Sequence, residues 1–313
     1  MRPVDIAGLF ALGALWGASF LFMRVAAPEF NPVPVADIRV VIGGLLLLLV
    51  AVPQRVRFEV RAMWRPYLVL GLMNTAVPFA LISAAATQLP ASISSILIAT
   101  TPIFAALVGW VWLRDPLTGR QIVGVLLGLV GVVLLVGWTP LGFSVPVVLS
   151  IVAVIGAALC YGVGTHYSAR MLRRKAGLAI PVIQQFAAAA LLLPLALASV
   201  PATRPSDEAT LSVLALGLFS TGLAYLLFFR LMRRIGPFRA NIATYFTPAF
   251  GVLWGALLLD ERLSAGTFVG LAIILVSAVM MGNLRLSPSR GRRASRAGLV
   301  PVVDPVVNQP PRP

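Results

Sequence analysis

Ten apolar stretches, each near the length of a membrane-crossing helix, follow one another with short gaps: 6–26, 35–53, 66–86, 92–112, 119–138, 146–168, 180–200, 210–231, 239–259 and 265–283. At about 1.5 Å of rise per residue, about 20 apolar residues cross the hydrocarbon layer as a helix. The bilayer offers no water to unpaired backbone groups, so such a chain is expected to fold as an all-α polytopic membrane protein. Composition agrees: only 11% of the 313 residues are charged, against about 25% in soluble domains. The first stretch has full span length and nine more follow, so it reads as a mature helix rather than a signal peptide.

The charge is lopsided, with 25 basic residues against 10 acidic and a net +15. In a soluble chain that excess would suggest nucleic acid. Here the basic residues alternate with the spans. With the N-terminus in the cytoplasm, the inner segments hold 21 of the 25, among them Arg55, Arg57, Arg61 and Arg65, then Arg230, Arg233, Arg234 and Arg239. The outer segments hold three, Arg24, Arg204 and Arg262, and Arg39 lies within the second span. Positive residues stay inside, so both termini are expected in the cytoplasm, and nucleic acid drops out as a partner. Arginine makes up 24 of the 25, a faint pointer to a GC-rich bacterial genome and hence to a bacterial inner membrane. The tail 284–313 is rich in Pro and Arg and is expected to be a disordered cytoplasmic segment, either inert or touching anionic headgroups.

The chain also repeats itself. A shift of 146 residues aligns 67–133 with 213–279 without a gap and with 19 identities, including Thr75/Thr221, Thr101/Thr247, Pro102/Pro248 and Gly109/Gly255. A shift of 145 sets Trp16-Gly17 over Tyr161-Gly162. The spacing predicts two five-helix repeats, 6–138 and 146–283. Five is odd, so the second copy enters the membrane inverted. The loop TQLPAS of the first copy carries no charge, whereas its equivalent reads RRIGPFR, as opposite faces require. Inverted repeats are characteristic of secondary transporters with a midplane site exposed alternately to each side.

These repeats resemble the EamA-type unit of the drug/metabolite transporter superfamily. The resemblance rests on LGALWGASFLFMRVA (12–26), on TPIFAALVGWVWLRDPLTGRQIVGVLLGLVGVVLL (101–135), and on the second-copy stretch 221–281 with its LLLDERL turn. It covers nearly all of 6–283. The first copy departs at that turn, with Arg114-Asp115-Pro116 where the second has Asp260-Glu261-Arg262. The resemblance implies export or exchange of small metabolites, amino acids or drugs, and a cavity surrounded by helices 1, 3, 4, 6, 8 and 9.

Polar and aromatic residues fall in those helices. Trp16, Ser19, Asn74, Thr75, Thr101, Tyr161, Thr221, Tyr225, Thr244 and Tyr245 are the candidate substrate-binding set, since hydroxyls and amides at membrane depth must find partners or face a wet cavity. Interhelical packing is the competing reading for each. Pro102 and Pro248 each remove a backbone donor and free a carbonyl one turn earlier. They read either as pathway kinks that hinge during transport or as static packing kinks. Arg39 either snorkels to the outer interface or pairs with Asp37, or else contacts a substrate anion. Its repeat equivalent falls near Gln184-Gln185.

All ten acidic residues fall in loops or at span ends, which argues against coupling through a buried acid. Cys160 and His166 are the single cysteine and histidine, so no metal or cofactor is expected, and His166 reads as structural or as a near-neutral titrating group. An intramembrane enzyme would need a nucleophile and base at depth and is disfavoured. Glycine pairs spaced by four, such as Gly124/Gly128 and Gly266/Gly270, permit close helix packing within a monomer, or a weak homodimer through spans 5 and 10. The expected function is secondary transport of a small organic metabolite across the inner membrane by alternating access, in the outward direction. The alternative is a non-transporting scaffold or regulator on the same repeat.

Overall fold

In the computed structural model the described residues are 1–140, 142, 144–171 and 177–281. The expected disordered tail and Arg173, Arg174 and Lys175 lie outside them. Among the described residues the structure is helical throughout, with no strand. Eight helical stretches are long and apolar enough to cross a membrane: Pro3–Phe30, Pro32–Ala51, Val60–Ala86, Ala91–Leu113, Gly119–Trp138, Val145–Met171, Ala179–Ala198 and Asp207–Ile235. Two shorter apolar helices follow, Ala243–Leu258 and Ala265–Met281, the latter running to the last described residue.

In chain order the helices are α1 (Pro3–Phe30), α2 (Pro32–Ala51), α3 (Val60–Gly71), α4 (Val77–Ala86), α5 (Ala91–Ile98), α6 (Thr101–Leu113) and α7 (Gly119–Trp138). Then come α8 (Val145–Met171), α9 (Ala179–Ala198), α10 (Asp207–Ala215), α11 (Ala224–Ile235), α12 (Pro237–Ala240), α13 (Ala243–Leu258) and α14 (Ala265–Met281). A π-helical segment, Leu72–Ala76, joins α3 to α4, and a second, Leu216–Leu223, joins α10 to α11. Such i→i+5 turns are rare and concentrate where a helix is bent to serve a site.

Local geometry recurs at the sequence offset. Arg114 and Asp260, 146 residues apart, both take positive φ, at 55° and 52°. The next amides close the same turn, Asp115 N–H donating to Gly109 O at 3.2 Å and Glu261 N–H to Gly255 O at 3.1 Å. The two acidic turns therefore share one backbone despite their different residues.

Two prolines lie close to helix junctions. Pro28 does not end α1, which runs on to Phe30; the turn is made by Asn31 at φ 67°, and Pro32 opens α2. Asn31 is held by its Nδ2 donating to Ser199 O at 3.0 Å. Pro102 does not kink a continuous helix either. Span 4 is broken at Ala99-Thr100, and Pro102 is the second residue of α6, where a missing N–H leaves nothing unpaired. Thr100 and Thr101 donate to Leu97 O and Ile98 O, each at 2.7 Å, and so cap the carbonyls at the end of α5. Pro248, by contrast, lies inside α13.

Glycines let helices from the two sequence repeats meet. α1 packs along α13, where a side chain at Gly17 would stand 2.7 Å from Phe250 Cβ. α7 lies along α14: Gly266 faces Trp138, Gly270 faces Leu135, and Ser277 Oγ donates to Gly124 O at 2.6 Å. The glycine faces of spans 5 and 10 are thus occupied by one another and are not free for a second copy. The outward sides of these helices, with Leu126, Leu129, Val133 and Phe268, are exposed apolar surface suited to lipid tails.

Candidate functional site

The π segments position the polar residues of the interior. Thr75 lies in the first and Thr221 in the second, and both are fully buried. Each receives a hydrogen bond from a helix of the other sequence repeat. Arg39 of α2 donates through Nε to Thr221 Oγ1 at 2.9 Å. Gln184 of α9 donates through Nε2 to Thr75 Oγ1 at 2.7 Å. Arg39 and Gln184 are 145 residues apart, and Thr75 and Thr221 are 146 apart, so the two bonds are repeat equivalents.

The correspondence extends to the aromatic neighbours. The Arg39 guanidinium carbon stands 3.6 Å from the centroid of the Phe79 ring, a close cation–π contact. Tyr225, 146 residues after Phe79, is an aromatic neighbour of Gln184. Close backbone approach makes both crossings possible. A Cβ at Gly71 would lie 3.1 Å from Gln184 O, and one at Gly217 would lie 3.3 Å from Arg39 O.

Arg39 is therefore enclosed by the bundle. It is 5% exposed, eight residues into α2, and its side chain is held within the protein. Nor does it pair with Asp37: residues two apart on a helix face different ways. Asp37 is itself buried and lies six residues into α2, which begins at Pro32 and not at 35; its Oδ1 has no hydrogen-bond partner among the described residues.

The candidate residues divide by what they touch. Thr221, Tyr161 and Tyr225 gather around Arg39, the two phenols within electrostatic reach of the guanidinium, while Thr75 is bonded to Gln184. Trp16 packs on Phe228, ring centroids 5.4 Å apart. Asn74 Nδ2 makes a long bond of 3.5 Å to Ser168 Oγ. Tyr245 turns toward α14 and donates to Ala278 O at 3.3 Å. The hydroxyls of Ser19, Thr101 and Thr244 donate to carbonyls three residues back, those of Trp16, Ile98 and Asn241. Gln184 and Phe79 were absent from the sequence set, although shifting Arg39 by 145 and Tyr225 by −146 points to both.

A helical bundle with a lipid-facing exterior, whose buried polar residues join two sequence-related sets of helices, is the framework of a membrane transporter. The chain belongs to the EamA-like transporter family, which it matches over residues 5–137 and again over 148–283. It is 24% identical over 288 residues to the uncharacterized transporter YvbV of Bacillus subtilis, covering 91% of this chain and 92% of that one. It is 27% identical to the uncharacterized inner membrane transporter YedA of Escherichia coli, with 87% and 89% covered. A probable terminal-alkyne amino-acid exporter of Streptantibioticus cattleyicolor is 26% identical, with 89% and 95% covered. A crystal structure at 20% identity matches with a TM-score of 0.62 over 90% of this chain and 96% of that one, and so shares the fold. Membership of this family, with the apolar helices, places the protein in a lipid bilayer with a small-molecule substrate.

Proposed function

We propose that the protein is a secondary transporter that moves a small organic metabolite out of the bacterial cytoplasm by alternating access. In this reading ten spans form two inverted five-helix repeats, 6–138 and 146–283, with both termini cytoplasmic. The substrate binds between the repeats, among Trp16, Asn74, Thr75, Tyr161, Thr221 and Tyr225. Ser19, Thr101, Thr244 and Tyr245 shape the surrounding helices, Pro102 follows the break in span 4, and Pro248 lies within span 9 as the candidate hinge.

The observation that carries the reading is the pair of equivalent bonds, Arg39 to Thr221 and Gln184 to Thr75. Each ties a helix of one repeat to the π segment of the other, so the halves rock about a shared polar centre. A site built this way is exposed to one side and then the other when the halves exchange conformations. The outward direction draws support from the relative named as a probable exporter.

The test is an untargeted comparison of metabolites in medium from deletion and overexpression strains. A compound depleted outside the deletion strain and enriched outside the overexpressing one is the expected result. Identical media would overturn export, and enrichment outside the deletion strain would reverse the direction.

A further inference from the structure

The two equivalent bonds differ in one respect that decides what the centre can hold. The first repeat supplies a guanidinium, Arg39, where the second supplies a neutral amide, Gln184. The two bonds therefore bring a single cation to the polar centre. Arg39 is also the sole buried cation among the described residues. Burying an ion is costly unless it is paired and hydrogen-bonded. Its protein contacts account for only part of its capacity: Nε donates to Thr221, Nη1 makes a long contact of 3.7 Å with Met23 Sδ, and Phe79 covers one face. Among the described residues Nη2 has no acceptor and no carboxylate pairs with the guanidinium.

Resting on the transport reading above, we infer that Arg39 binds the carboxylate of the substrate, and that the substrate class is small organic molecules bearing one carboxylate. The guanidinium offers a planar fork of N–H donors that matches a carboxylate edge. Tyr161 and Tyr225 are partly buried beside it and offer phenolic hydroxyls and ring faces to the rest of such a molecule. The neutral Gln184 sets the charge limit. One cation neutralises a monoanion, whereas a phosphate or a dicarboxylate would bring a second negative charge into the bundle with nothing to meet it. Arg39→Gln is the informative variant, because Gln184 already shows that an amide makes the same bond to the equivalent threonine.

The purified protein in detergent is titrated with acetate, benzoate and L-phenylalanine, with acetamide, benzamide and L-phenylalaninamide, and with inorganic phosphate and phthalate, following thermal midpoint and tryptophan fluorescence. At least one carboxylate is expected to bind saturably while its amide, phosphate and phthalate do not. Arg39→Gln is expected to weaken that carboxylate by about tenfold to a hundredfold, the loss of one charge-assisted contact, and Arg39→Lys by less. The inference is overturned if no carboxylate binds, if an amide or phosphate binds as tightly, or if Arg39→Gln leaves affinity unchanged. The comparison of acid with amide on the unaltered protein stands even if the variants fail to fold. Failure here is separable from failure of the transport reading. Metabolites that change in the medium but lack a carboxylate sink this inference alone, whereas carboxylate binding with unchanged media sinks transport alone.

Discussion

Glu261 caps the start of α5 through Ser92: its Oε2 accepts the Ser92 N–H at 3.0 Å, and its Oε1 accepts the Ala91 N–H at 2.6 Å. The residues are 169 apart in sequence, so the carboxylate of one repeat closes the helix start of the other. Unpaired N–H groups at a helix start favour a negative partner. Other long-range bonds tie neighbouring helix ends, with Glu29 accepting from Ser206 N at 2.6 Å and Arg24 donating to Ala86 O at 2.8 Å. The position equivalent to Glu261 is Asp115, which is exposed. The position equivalent to Ala91 is Pro237, which has no N–H to offer.

Glu261→Gln is expected to weaken this latch, costing about 1–2 kcal/mol for charge-assisted bonds to a half-exposed group. The check is labelling of a cysteine placed at Thr87 in a Cys160→Ala background. A membrane-impermeant maleimide is expected to react several-fold faster in the Gln variant. Equal rates would show that Glu261 does not hold that end shut.

Pro102 and Pro248 occupy equivalent sequence positions but different structural ones, so their alanine variants are expected to diverge. Pro102→Ala alters a helix start and should shift stability by less than about 1 kcal/mol. Pro248→Ala restores an interior N–H and removes crowding against the preceding turn. It is expected to raise the thermal midpoint and slow flux. Parallel melting and flux measurements on both variants decide; equal effects would mean that the interior position of Pro248 confers nothing.

Gly71 and Gly217 set the approach of α9 and α2 to the π segments. Valine at either is expected to destabilise the bundle by about 1–3 kcal/mol, the usual cost of overpacking. Gly137→Ala, where a side chain would meet nothing within 4 Å, is the neutral control. Fluorescence-detected melting of the three variants provides the measurement. Equal midpoints would mean that the crossings relax without cost.

Much of this was open to reading in the chain. Hydropathy marked the helices, and the 146-residue shift paired Thr75 with Thr221 before any fold was known. The bond from Arg39 to Thr221 was not legible, because it spans 182 residues and depends on how helices cross. The π segments were hidden for a related reason: an i→i+5 turn leaves no mark in a run of uniformly apolar residues. Whether Pro102 bends a helix or begins one was not legible either, because a proline in an apolar span looks the same in both. Gln184 was overlooked as a site residue because its role comes from geometry, and only its equivalence to Arg39 hinted at it.

The central claim is that two halves exchange conformations about the Arg39–Thr221 and Gln184–Thr75 centre. Pulsed electron resonance between spin labels at Thr87 and Arg262 reports on one end of the bundle, and between labels at Thr118 and Arg239 on the other. The account predicts two distance populations for each pair, with conditions that lengthen one distance shortening the other. A single unchanging distance for both pairs, or two that lengthen together, would contradict it.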